Sequence, residues 1–447
     1  MKKILIFDRS YIVESLKSNN FEIIAVALSI REKKRLLNKG IHVIGCFDEE
    51  YKSLPISKVP DNYLDCSWNS DRFLNGKKLG KRKEILGKEI SFWSRIFDEY
   101  EPEFIVNEPV TIEYMEVAFI EGRKRGIPYL RWGCLTVPTG DIWVDSPYHS
   151  RIDNRRWENA VPNHEDFIKT AEYINQIRVK HFRPLYVIKR RLSPIKKLKL
   201  LKDDLRDMFI HYKSKIQHNF LYEDYSEFLI QKYKRLIFDI FYKYDELIFD
   251  QNNEYFFYPI HYEPESVISY AGFYFDDQAM LIGRIAHSMS TNQILIVKEH
   301  PQQCGMLTTY RFRLLKKQYP NLMYIRGNVS AYDIYDHINA LITLNGTAGF
   351  EAWTCGIPTI VFGEVYYKDF AGITQCTDFK SLKIILREHK YMIPSDENIF
   401  LYIAKMFHIL RPIFPSYSYI NGKDKENIAF LKSEIEKALL EGIDSIK

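Results

Sequence analysis

The sequence predicts an α/β protein with two parallel sheets, a helical middle segment and a helical tail. Three observations predict it. Short apolar runs alternate with helix-patterned stretches over the first third of the chain, the mark of a parallel sheet covered by helices. The alternation stops between about 150 and 250, where Lys, Arg, Tyr and Phe are frequent and apolar residues recur every three or four positions. It resumes from about 254. A length of 447 residues suits two or three domains, and 46% apolar with 27% charged residues suits a globular chain with two substantial cores.

The elements follow in order. KKILIFD (2–8) reads as a strand: Asp8 and Arg9 interrupt the apolar run before it could form the core of a signal peptide. A helix is expected over 10–19, a strand over 21–29, a helix ending at Gly40 and a strand over 41–47. A longer helix is expected at about 80–99, then a strand at 103–107, a helix at 111–126 and a strand at 127–132. Each strand is short and apolar throughout, as when both faces of a sheet are covered. Helical spacing dominates 223–249. The second sheet draws on strands at 254–262, 293–301, 321–327, 339–345 and 358–363, with helices at 277–289, 306–319, 330–338 and 348–356. The tail from about 396 is helical. The expected division is 1–150 (first α/β domain), 151–252 (basic helical bridge), 253–390 (second α/β domain) and 391–447 (terminal helices).

Charge and cysteine usage exclude several function classes. No apolar run approaches the roughly 20 residues of a membrane span. The six cysteines form no C-x-x-C pair or zinc-finger spacing, so reduced, mostly buried thiols are expected. There is no P-loop, no G-x-G-x-x-G and no H-E-x-x-H, and no Asp-x-Asp of the kind that holds a divalent ion on a donor diphosphate. No metal is expected. Residues 178–202 contain ten Lys or Arg and no acid, leaving 53 basic against 58 acidic residues elsewhere. This segment is either a solvated helical face or a dock for anionic lipid headgroups. A nucleic-acid role is disfavoured, since the rest of the chain is acidic overall and carries no such motif.

Chemistry-bearing residues cluster at three predicted strand ends. In LNGTAGFEAWTCGIP (344–358), Gly346, Thr347 and Gly349 lead from a strand into a helix. Glycine lets backbone approach a ligand, and helix N-terminal amides suit phosphate. Glu351, expected in the first turn, is placed to accept hydrogen bonds from vicinal hydroxyls such as those of ribose. The alternative is a plain tight turn with a dipole-favoured Glu. IVKEHP (296–301) ends a strand in Lys298, Glu299, His300 and Pro301, where ligands bind in open α/β sheets; His300 could equally cap a loop. YPIHYEPE (258–265) places His261, Glu263 and Glu265 past another strand.

PIHYEPE, VKEHP and NGTAGFEAWTCGIPTIVFG together resemble the capsule polysaccharide biosynthesis family, which includes the β-Kdo transferases. The resemblance is strong over 254–370 and only general over 1–135. It implies the GT-B architecture, two Rossmann-like domains facing across a cleft, with a nucleotide-activated sugar held by the C-terminal one. His300-Pro301 looks like the His-Pro that Kdo and sialyltransferases place around a CMP phosphate. Gly346, Thr347 and Glu351 match the nucleotide-binding turn and helix. CMP-Kdo is the first-choice donor, with no tightly bound cofactor. The acceptor would be a lipid-linked or growing glycan.

The first domain would then supply the acceptor side and a carboxylate. Glu108, just past the strand 103–107, is the first choice as base or as a stabiliser of developing positive charge; the alternative is a cap on the helix beginning near Thr111. Asp8, Asp141 and Asp145, the last two expected in a loop, come next. His261 and Glu263 are expected beside the donor as catalytic candidates with Glu108, while Lys298, His300, Pro301, Gly346, Thr347, Gly349 and Glu351 are expected to hold the nucleotide and its phosphate. The reading is a metal-independent, cytoplasmic glycosyltransferase, peripheral at the inner face of the membrane. Its rivals are a UDP-sugar 2-epimerase and a noncatalytic glycan- or nucleotide-binding assembly protein.

Overall fold

The computed structural model of the chain describes residues 2–7, 21–71, 73–136, 138–144, 146–148, 151–181, 225–263 and 266–410, with isolated positions at 202, 205, 206, 209 and 433. The helix expected at 10–19, Asp8, Asp145, Glu265, most of the basic segment and the tail beyond 410 lie outside the described residues, isolated positions apart.

The first sheet is built from β1 (Lys2–Phe7), β2 (Phe21–Ala27), β3 (Val43–Cys46), β4 (Phe104–Asn107), β5 (Tyr129–Thr136) and β6 (Thr139–Trp143). Its order is β3-β2-β1-β4-β5-β6. The first five run parallel, and β6 lies antiparallel on β5. Here the structure corrects an expectation, because Asp141 sits on strand β6, paired with Cys134, not in a loop. Pro138, without an N–H, cannot continue a ladder, and the chain folds back on itself there.

Around this sheet lie α1 (Ile30–Asn38), α2 (Phe47–Glu50), α3 (Ser67–Ser70), α4 (Leu79–Tyr100) and α5 (Glu113–Lys124). Ser29 caps α1 by accepting from the Glu32 amide, and Gly40 follows its end at φ +71°, the left-handed region that glycine enters freely. An aromatic cluster of Phe7, Phe47, Phe92, Trp93 and Tyr114 joins sheet to α4 and α5.

The chain then forms α6 (Asn154–Glu158), α7 (His164–Arg178) and α8 (Tyr225–Phe241). α7 begins in a reciprocal capping box of Asn163 and Asp166. Its buried Tyr173 and Ile177 join the core beneath the second sheet. From α8 the chain runs to the second sheet along its far edge, where Asp245 accepts from Lys316 Nζ and the Tyr324 amide, each at 2.6 Å.

The second sheet contains β7 (Glu254–Pro259), β8 (Gln293–Lys298), β9 (Leu322–Ile325), β10 (Ala340–Thr343), β11 (Thr359–Val361) and β12 (Ile373–Gln375). All pair in parallel, in the order β12-β11-β10-β7-β8-β9. The four residues of β10 and residues 255–258 of β7 are buried without a break, which explains their unalternating apolar sequence. Its helices are α9 (Ser266–Ala271), α10 (Gln278–Ser288), α11 (Tyr310–Gln318), α12 (Tyr332–Tyr335), α13 (Thr347–Thr354), α14 (Phe379–Arg387) and α15 (Asp396–Ile409), the last packed on α7.

Both sheets therefore share one strand order, with a topological switch between β1 and β4 in the first and between β7 and β10 in the second. In open α/β sheets that crevice, outside the carboxyl ends of the strands, receives ligands. The two halves touch where Tyr270 of α9 donates to Ser67 Oγ of α3 at 2.8 Å, both side chains being buried.

Candidate functional site

The switch point of the second sheet brings together the carboxyl ends of β7, β8 and β10. His261 follows β7 and touches the turn after β10. Its Nε2 lies 3.2 Å from Thr343 Oγ1, which also accepts the Gly346 amide at 3.1 Å. A Cβ at Gly346 would stand 2.8 Å from His261 Cε1. Gly346 has φ −80°, so its lack of a side chain matters here for space, not for backbone conformation. Gly349 is tighter, for a Cβ there would meet the Tyr367 hydroxyl at 2.2 Å. That hydroxyl donates to the Gly346 carbonyl. The glycine turn is thus pressed from both sides by the protein's own His261 and Tyr367.

Two glutamines hold the segment after β7. Gln278 Oε1 accepts from the His261 amide at 2.7 Å, while its Nε2 donates to the Glu263 carboxylate at 2.5 Å. Gln303 Oε1 accepts from the Glu263 amide at 2.8 Å, and its Nε2 returns a bond to the Glu263 carbonyl. Burial raises the Glu263 pKa, partly opposed by Gln278.

Past β8, His300 Nδ1 accepts from the Gln302 amide at 3.2 Å. That assigns the proton of the neutral ring to Nε2, leaving an N–H donor. Burial, with Lys298 nearby, lowers the His300 pKa to about 4; burial, with His300 nearby, lowers His261 to about 3. Both imidazoles are neutral at ordinary pH. Tyr262 stands edge-on to His300, with ring centroids 5.8 Å apart. Lys298 is buried and directs Nζ to the carbonyls of Glu299 and Gly327, at 3.2 and 3.3 Å. Glu299 secures the loop that carries His300 and Pro301, accepting from the amides of Gly305 (3.1 Å) and Leu307 (2.9 Å). Burial raises it to about 7.

α13 begins at Thr347, with Gly346 as its cap and no side-chain capping bond. Glu351 is therefore the fifth helical residue and belongs to the second turn, which corrects the sequence expectation of the first. The chain turns helical immediately after Gly346, one residue earlier than the apolar pattern suggests. Burial raises Glu351 to about 7, with Lys298 opposing. Among the described residues its carboxylate accepts no hydrogen bond.

Glu108 follows β4, at the switch point of the first sheet. Its amide donates to Asn107 Oδ1 (2.9 Å) and its carbonyl accepts from Tyr129 (2.7 Å). It does not cap the following helix: α5 starts at Glu113, whose amide donates to Asp71 Oδ2 at 2.6 Å. The structure thus gathers His261, Glu263, His300, Pro301, Gly346, Thr347 and Gly349 around the second sheet's switch point and leaves Glu108 on the other sheet. Asp141 lies on β6, with β5 between it and β4.

Gln278, Gln303, Thr343 and Tyr367 carry no sequence signal, because their partners lie 17 to 40 residues away in the first two cases, 82 in the third and 21 in the fourth. Glu299 had one, its place between Lys298 and His300. Among the described residues no group of three or more His, Cys, Asp and Glu is arranged to hold a metal ion, no helix is long and apolar enough to cross a membrane, and Cys46, Cys66, Cys304, Cys355 and Cys376 form no disulfide.

Several solved structures are similar to this chain. A β-Kdo 2,7 transferase, KpsC of Thermosulfurimonas dismutans, is 10% identical, covering 90% of each chain with a TM-score of 0.35. The S. aureus MnaA–UDP structure is 11% identical over 99% of this chain and 97% of that one, with a TM-score of 0.31. The Neisseria meningitidis UDP-GlcNAc 2-epimerase bound to UDP-GlcNAc is 11% identical over 99% and 100%, with a TM-score of 0.27. Likenesses this distant carry no argument. No curated protein matches. The family model for capsule polysaccharide biosynthesis proteins, however, matches residues 167–402. That is more than half of the chain, spanning the whole constellation from His261 to Glu351, and the chain belongs to the capsule polysaccharide biosynthesis protein family.

Proposed function

We propose that this chain is a metal-independent glycosyltransferase of capsule or lipopolysaccharide synthesis that takes its sugar from a nucleotide-activated donor. One observation carries the reading: three strand ends converge at the second sheet's switch point, within the family-matched region, and present neutral imidazoles, helix-start amides and an unbonded carboxylate together. His300 Nε2–H and the amides at the start of α13 suit phosphate oxygens. Glu351 suits the ribose hydroxyls. A CMP-linked sugar, CMP-Kdo first, is the donor of choice, and Lys298 supports the site through the carbonyls it holds. Glu108, on the facing sheet, acts as base on the acceptor hydroxyl of a lipid-linked or growing glycan. The basic stretch 178–202, largely outside the described residues, brings the enzyme to an anionic membrane surface from the cytoplasmic side.

The test is a thermal-shift panel of CMP, CDP, UDP and GDP, followed by a transfer assay with the sugar nucleotide that stabilises. A ligand at 100 times its Kd adds about 2.7 kcal/mol. A melting temperature unmoved by all four nucleotides would remove the donor site. Epimerised donor without nucleotide release would instead mark a sugar-nucleotide epimerase, and binding without turnover a noncatalytic assembly protein. Turnover that survives EDTA is expected; its loss would refute metal independence.

A further inference from the structure

Helix α8 presses on the loop after β8. A Cβ at Gly305 would stand 2.3 Å from the Arg235 carbonyl oxygen, and Gly305 has φ +87°, so this close approach requires glycine twice over. One turn further on, the Asp239 carbonyl accepts from Arg326 Nη2 at 2.6 Å and fixes the end of α8 beside β9. Arg235 is thereby held against the loop that begins with His300.

Its guanidinium is half-buried and lies in the electrostatic field of Tyr262, Glu263 and Glu299. Tyr262 is the ring that stands edge-on to His300. Neither carboxylate pairs with Arg235. Glu299 is engaged with the amides of Gly305 and Leu307, and Glu263 with Gln278. The one polar contact of the Arg235 side chain among the described residues is Nη1 to Met306 Sδ at 3.8 Å, a weak acceptor. A guanidinium offers five N–H donors in a planar fork that matches the paired oxygens of a phosphate or carboxylate. Removing such a cation from water without an anion is unfavourable, and a ligand anion beside His300 would supply the missing partner.

We propose that Arg235 binds an anionic group of the donor, through two oxygens of a phosphate or of a carboxylate on the transferred sugar, on the flank of the site that His300 lines. The proposal rests on the donor-site reading above. It gives α8 a purpose in the chemistry of the second domain, since this helix carries the side chain that completes the site's positive side.

The test measures Kd by titration calorimetry for CMP, UDP, a CMP-linked sugar acid and a UDP-linked neutral sugar. The proteins are wild type, His300→Ala, Arg235→Gln and, as a control on the exposed side of α8, Lys234→Gln. Arg235→Gln should weaken binding roughly 10- to 100-fold, the loss expected for hydrogen bonds to a charged group, with Lys234→Gln unchanged. Weakening for CMP or UDP alone identifies the phosphate as the source. Weakening confined to the sugar acid identifies its carboxylate. Arg235→Met, which keeps the aliphatic stem against Met306, is read in the same way if the Gln variant does not fold. If His300→Ala weakens binding while Arg235→Gln or Arg235→Met leaves every affinity at the wild-type value, Arg235 only packs and the proposal is overturned. If wild type binds none of the four, the donor reading itself falls and takes this one with it.

Discussion

A methyl group at position 349 would come within 2.2 Å of the Tyr367 hydroxyl and 2.9 Å of Thr343 Cγ2. Gly349→Ala should therefore destabilise the protein by about 1–3 kcal/mol, as overpacking does, read from the urea midpoint. The obstruction is chiefly one hydroxyl, so the same substitution in a Tyr367→Phe background should cost clearly less; strict additivity would contradict the packing account. The glycine-rich turn was legible in the sequence, but its reason was not. Spacing suggests a backbone opened to a ligand, whereas His261 and Tyr367, far off in sequence, are what fill the space. Glu351 carries a second expectation. Burial raises it to about 7, and ribose hydroxyls favour the ionised carboxylate as acceptor. Nucleotide affinity should rise with pH through about 7, and Glu351→Gln should flatten that rise. Glu108→Gln should keep donor affinity and lose about 10²–10⁴-fold in turnover, the usual effect of a missing general base; near-normal turnover would transfer the role to another carboxylate.

At the scale of elements, the loop after β8 is shaped by Glu299, which serves two amides with two oxygens. Glu299→Gln retains only one acceptor, leaving a buried N–H unpaired at a cost of about 1–3 kcal/mol. Hydrogen exchange at the amides of Gly305 or Leu307 should accelerate, and unchanged protection at both would exclude the clamp. Here the sequence reveals the strand and its polar end, since an apolar run stopping at Lys298-Glu299-His300 reads directly. It does not reveal the loop's anchors. Gln278 and Gln303 lie on different segments, and only folding brings them to Glu263. Strand β6 was hidden for a related reason: its pairing with β5 depends on a reversal at Pro138, which local pattern reads as the start of a loop. The short β12 and helix α14 were likewise not read, whereas the alternation that marks the sheets themselves persists in every strand from β1 to β5 and β7 to β11.

Across the whole molecule, the first domain holds an acidic interior that no local pattern announces. Glu89, Glu113, Glu116 and Asp71 are buried together with Arg82. Arg82 bonds Glu113 at 2.6 Å, while neither oxygen of Glu89 meets a hydrogen-bond partner among the described residues. Helical spacing on α4 and α5 predicts which faces are apolar, and a Glu among them reads as surface. Burial lifts Glu113 from 4.5 to about 8, and burial together with Glu113 and Asp71 pushes Glu89 upward as well. The folded state thus prefers both carboxyls protonated. Their contribution to stability is complete below about pH 4.5 and declines as pH rises toward 8. The melting temperature should fall over that range, and Glu89→Gln, which cannot ionise, should reduce the slope. Parallel curves for the two proteins would refute the assignment.

A neutral carboxyl sealed in the first domain also links folding to the surrounding buffer. When the chain unfolds near pH 7, Glu89 and Glu113 return to their ordinary acidity and give up protons to solution. The heat absorbed in a calorimeter then includes the enthalpy of protonating the buffer. Unfolding measured in buffers of differing ionisation enthalpy should yield a straight line whose slope counts the protons released, and that count should drop in Glu89→Gln.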